Sequence, residues 1–151
     1  MNFKRTVLKM KKITFLFLLF VGLLLTGCSE ESLKSKAEKF STEAEDLGES
    51  VEILKETLNP LGKKHTLSLK DQDLIVSQIE SLTVEMNDFK EEEAPFLAKI
   101  AKKRAVKELN KKEKELLSIK EKAQNEKAKV ADVNRILTIL STDFDMSSLG
   151  K

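Results

Sequence analysis

From Leu33 the apolar residues Ala37, Phe40, Ala44, Leu47, Val51, Leu54 and Leu58 follow at alternating steps of four and three. An alternation sustained over more than three repeats lays a narrow apolar stripe along one side of a helix. Such a stripe is covered best by another helix. The intervening positions are mostly Lys, Glu, Ser or Asp. The pattern therefore predicts a long helix over about 30–58, weakened by about 1 kcal/mol at Gly48 relative to alanine. Asn59-Pro60-Leu61-Gly62 ends it, because proline cannot continue a helix and glycine suits the turn.

A second helix is expected over about 68–92. Ser68 with Asp71 resembles a capping box, although Asp is the poorer partner at that position. Ile75, Ile79, Leu82, Met86 and Phe89 repeat the same four–three alternation. Pro95 pushes the residue before it out of helical geometry and suits the first turn of a third helix over about 95–142. From Phe96 to Leu140 there is neither glycine nor proline. Leu109, Leu116, Ala123, Val130 and Leu137 recur every seven residues, joined by Ile119, Val133 and Leu140. Lys112 and Glu126 interrupt that stripe, so one continuous helix and a break near 124–129 are both open. The fold expectation is all-α: an antiparallel bundle of three to four long helices with coiled-coil-like packing over 28–142, and a fraying tail at 143–151. An extended coiled-coil dimer is the competing architecture.

The first 27 residues have a different character. Lys4, Arg5, Lys9, Lys11 and Lys12 supply positive charge with no acid, and Ile13 to Leu25 is apolar apart from Thr14 and Gly22. A basic stretch followed by a short apolar run is the pattern of a cleaved secretory signal. The run is too short to span a bilayer comfortably, which takes about 20 apolar residues. Met10-Lys11-Lys12 would also serve as a start, leaving the processed chain unchanged.

Leu25-Thr26-Gly27-Cys28 closes that segment and contains the sole cysteine. These four residues resemble the lipobox of bacterial prolipoproteins. The resemblance implies signal-peptidase recognition of Leu25, Thr26 and Gly27, a covalent diacylglyceryl group on Cys28, and cleavage just before it. The lipid on Cys28 would then be the only non-protein group; no cofactor and no metal is expected. A lone cysteine cannot close an internal disulfide, and in an exported chain it calls for some such explanation. Two acyl chains also make a stable anchor where one binds only reversibly.

Processing changes the charge. Five of the 27 basic residues leave and all 25 acids stay, so 22 basic residues face 25 acids and the net charge becomes −3. The basic whole-chain balance is therefore no argument for a nucleic-acid partner. The remaining 124 residues hold no Trp or Tyr and four Phe: Phe40, Phe89, Phe96 and Phe144. So few large apolar groups suit narrow helix–helix seams better than a wide core with a deep cleft.

Few residues invite a chemical reading. His65, the sole histidine, follows two lysines in a loop, with no cysteine or orienting carboxylate nearby. Glu91-Glu92-Glu93 on a helix would point about 100° apart in succession and so would not converge on one cation. Nucleophile, zinc and phosphate-loop motifs are absent from the sequence, and the expectation is a non-enzymatic protein. Lys99, Lys103, Lys107, Lys111 and Lys114 advance by four, four, four and three, aligning along one helix face, with Lys102, Arg104 and Lys112 widening it. Between Lys99 and Lys114 eight basic residues stand against Glu108 and Glu113, whereas residues 28–58 hold nine acids and four basic residues. The stripe is either an anion-binding face for polymer or lipid headgroups or a basic surface that faces the acidic first helix or solvates a long one. No aromatic residues interleave it as a nucleic-acid site requires.

Beyond the lipobox, the Lys/Glu-rich helices and the Glu93-Ala94-Pro95 break resemble small helical lipoproteins of Gram-positive bacteria, some of them described as cell-wall-binding. That resemblance implies an extracytoplasmic protein, lipid-anchored at the outer face of the cytoplasmic membrane, acting as an interaction or envelope-associated module. The expected partners are the membrane and an envelope protein or anionic cell-wall polymer. A chaperone-like holdase for secreted chains is a third reading, which an open apolar groove between helices would favour.

Overall fold

The computed structural model describes residues 30–141, and these are all-helical. The expected signal segment 1–27, Cys28 and the tail 143–151 lie outside the described residues. Four α-helices follow one another: α1 (Glu30–Leu58), α2 (Leu69–Glu91), α3 (Lys99–Gln124) and α4 (Val130–Ser141). Short 3-10 turns at Leu61–Lys63 and Phe96–Ala98 precede α2 and α3.

The alternating stripe of α1 is buried from Phe40 through Leu58, and Ile75, Ile79, Leu82, Met86 and Phe89 of α2 lie in the same core. α2 packs against both α1 and α3. Ion pairs fix the direction of α3: Lys90 meets Glu113 at 2.6 Å and Glu80 meets Lys120 at 2.8 Å, so the two helices run antiparallel. Phe40 of α1 and Phe89 of α2 lie with ring centroids 5.5 Å apart, a tilted pair of the kind aromatic quadrupoles favour.

The α1–α2 connection is part of the core. Leu61 in its 3-10 turn is buried. Gly62 sits so close to α4 that a Cβ would meet Asn134 Oδ1 at 2.6 Å. The turn leads into a complete capping box: Ser68 N–H donates to Asp71 Oδ2 at 2.8 Å, and Asp71 N–H donates to Ser68 Oγ at 3.3 Å. Aspartate suffices there because Lys64 holds both its oxygens, at 2.7 and 2.8 Å.

Of the two alternatives open for 95–142, the structure shows the break: the region is divided at 125–129. Pro95 stands ahead of the first turn with extended backbone, ψ 152°, and a 3-10 turn separates it from α3. At the far end, Lys127 N–H bonds to Lys122 O at 2.8 Å and Glu126 N–H to Ala123 O at 2.9 Å. Glu126 has φ 58°. These are the two bonds and the left-handed residue of a Schellman stop, with glutamate where glycine is usual. Glu126 is exposed in this turn and does not interrupt a buried stripe.

α4 folds back along α3, with Asp132 at 2.6 Å from Lys122 and Arg135 at 2.6 Å from Glu115. The seven-residue stripe does not carry through the turn. Val130 and Leu137 are half-buried, while Val133, Ile136, Ile139 and Leu140 form the buried face. Lys112, expected to burden the seam, bonds through Nζ to the carbonyl of Ile139 at 2.9 Å. The last carbonyls of a helix lack intrahelical donors, so the ammonium has a ready acceptor there. α4 thus accompanies only the C-terminal half of α3. The segment from Lys99 to Glu108 runs past its end.

Candidate functional site

The first candidate, Leu25-Thr26-Gly27-Cys28, lies outside the described residues, two positions ahead of the first residue of α1. The end of the molecule from which it departs is well defined. Lys36 on α1 reaches Glu93, between α2 and α3, at 2.5 Å. The pairing raises the lysine pKa and lowers the glutamate pKa, the hydrogen bond contributing most in both cases. The N-terminal part of α1 and the α2–α3 connection are therefore neighbours.

The second candidate is the lysine stripe. Lys99, Lys103, Lys107, Lys111 and Lys114 are all exposed on α3. Lys111 pairs with Glu108 of its own helix at 2.8 Å, with both side chains more than half exposed, a geometry worth little in water. Among the described residues the other four make no ion pair within 4.0 Å, and none of the five pairs with a carboxylate of α1.

Two residues read as widening the stripe are half-buried and turn toward backbone carbonyls. Lys112 closes the end of α4, as described. Lys102 donates to the backbone carbonyl of Glu92, just past the end of α2, and its ammonium lies 5.8 Å from the centre of the Phe89 ring. Burial lowers its pKa, against the nearby charges of Glu92 and Glu93. Arg104 stays exposed.

Two apolar side chains that the sequence reading did not single out share the basic face. Ile100 is 72% exposed and Phe96, in the preceding turn, is 80% exposed. At about 100° per residue, Ile100 projects about 20° from Lys107, about 60° from Lys103 and about 180° from Leu109. Leu109 is buried, so Ile100 points directly away from the core. The available signal was phase: Ile100 falls outside the stripe that Leu109 and Leu116 define.

An acidic zone lies between α1 and α2. Glu43 has its pKa raised, by burial first and then by Asp88, Asp46, Glu92 and Glu85. Among the described residues no group of three or more His, Cys, Asp or Glu could hold a metal ion. His65 is exposed. Of the three consecutive glutamates only Glu91 is within α2; Glu93 pairs with Lys36, and the Glu92 backbone carbonyl accepts from Lys102.

No protein-family model, no curated protein and no solved structure matches this chain. No helix among the described residues is long and apolar enough to cross a membrane.

Proposed function

We propose that this chain is an extracytoplasmic lipoprotein, processed before Cys28 and held at the outer face of the cytoplasmic membrane by a diacylglyceryl anchor. On this reading residues 28–142 form an antiparallel bundle with coiled-coil-like seams that works as a non-enzymatic interaction or envelope-associated module. The observation that carries the reading is Leu25-Thr26-Gly27-Cys28, which closes a basic and apolar leader and ends two residues before α1. The closed seam between α1 and α2 gives no support to a holdase, whose clients would need apolar surface between helices.

A second reading is favoured by the exposure of Lys99, Lys103, Lys107, Lys111 and Lys114: that face binds anionic cell-wall polymer or lipid headgroups. Clustered lysines near an anionic membrane gain about 1 kcal/mol each, and salt screens that gain.

The test of the tether is the intact mass and membrane partition of the protein from its host, beside Cys28→Ala. A mass that starts at Cys28 and includes a diacylglyceryl group, lost with membrane retention in the variant, is the expected result. A full-length, unlipidated chain would overturn the reading.

A further inference from the structure

Phe96 and Ile100 are large apolar side chains pointing away from the core, at the end of the molecule from which the N-terminal segment departs. Scattered exposed apolar residues need no explanation by themselves. These two stand four positions apart with Lys99 and Lys103 exposed beside them. Aromatic and aliphatic side chains beside lysines characterise helices that lie in a membrane interface.

We infer that the first two turns of α3 rest on the anionic surface of the membrane that carries the anchor, with Phe96 and Ile100 entering the headgroup region and Lys99 and Lys103 meeting lipid phosphates. The inference rests on the tether proposed above and gives the tethered bundle an orientation. A lipid surface is selected over a soluble anionic polymer on two grounds. A polyanion would satisfy the lysines and leave the apolar pair in water, whereas a bilayer interface accommodates both. Lys36 lies beside Glu93, three residues before Phe96 in the α2–α3 connection, and from Lys36 back to Glu30 is about 9 Å of helix. Two further residues add at most about 7 Å of chain, so Cys28 attaches near this patch and not at the far end.

The chain has no tryptophan, so one introduced residue reports by itself. The experiment uses the lipidated protein, with its mass verified, in vesicles of phosphatidylcholine with phosphatidylglycerol and brominated acyl chains. Phe96→Trp is compared with Leu69→Trp, a 61% exposed position at the opposite end of α2. Emission from Phe96→Trp should be blue-shifted and quenched several-fold more than that from Leu69→Trp. Adding Lys99→Glu and Lys103→Glu, or omitting phosphatidylglycerol, should at least halve that quenching. Equal, weak quenching in a verified lipidated sample would overturn the orientation and leave the tether standing. A blue shift without bromine quenching would overturn it in favour of protein cover, by residues 142–151 or a second copy. A sample lacking the lipid mass would remove the tether and this inference together.

Discussion

Gln72 of α2 donates its Nε2 to the carbonyl of Ala128 at 2.9 Å, joining residues 56 apart in the chain. Both residues are buried, and this one bond fastens the α3–α4 turn to the start of α2. Gln72 Oε1 is buried without a partner, so the contact carries a desolvation cost as well as a gain. Gln72→Ala strands the Ala128 carbonyl and opens a small void. The expected loss is about 1–3 kcal/mol in chemical denaturation. Amides of the turn over 125–129 should exchange faster with solvent. Unchanged stability together with unchanged exchange would show that the turn holds itself.

Asp71 contributes to the acid dependence of the fold. Its carboxyl is held at about 2, first by the Lys64 ammonium and then by the Ser68 backbone N–H, against the opposing effect of burial. The folded value lies below the unfolded one of about 3.9, so the stabilisation is full above that value and is lost as pH falls toward 2. Lys64 is 44% exposed, and screening keeps the contribution on the order of 1 kcal/mol. Asp71→Asn should lower stability at pH 7 and flatten the stability–pH curve between about pH 4 and 2. A variant curve parallel to that of the parent would refute the assignment.

Glu126 occupies left-handed backbone at φ 58°, which a side chain with a Cβ adopts at a cost. Its side chain is exposed, so removing it forfeits no packing. Glu126→Gly should raise stability by about 0.5–1 kcal/mol, read as an increase in Tm. The unusual sign makes the measurement decisive: a decrease would mean that the turn departs from the stop geometry described above.

The exposed lysines should be dispensable for folding. Lys103→Glu with Lys107→Glu should change stability by no more than about 0.5 kcal/mol, as for surface positions without buried partners. Binding to anionic vesicles or cell-wall polymer should weaken at the same time and lose its steep salt dependence. Lys102→Glu should behave oppositely, because it would place a carboxylate against the Glu92 carbonyl. Thermal melts of the two variants side by side check both expectations.

Legibility followed the length scale of the signal. The alternating stripes of α1 and α2 were readable because one helix face needs only local spacing, and each predicted position from Phe40 to Leu58 and from Ile75 to Phe89 is buried. The capping box was readable at Ser68 and Asp71, though its strength was not, since Lys64 belongs to the preceding loop. The division of the last helix stayed open because its stop uses Glu126 in place of the expected glycine. Charge alone suggests solvent for Lys102, and for Lys112 the sequence leaves both the basic face and the buried seam open. Each has a backbone carbonyl as partner, and a carbonyl leaves no trace in sequence.

Helical character, the apolar faces of α1 and α2, and the place of the lone Cys28 two residues ahead of α1 are all local to the chain. These depend on periodicity, on turn-forming residues and on order along the chain. Packing, not spacing, sets Ile139 of α4 beside Lys112, turns Lys102 toward the Glu92 carbonyl, and leaves Phe96 and Ile100 exposed among the lysines. The physical reason is that exposure belongs to a pair of surfaces. A helix carries its own phase in its sequence, but where its neighbour stops depends on a turn and a packing contact more than fifty residues away.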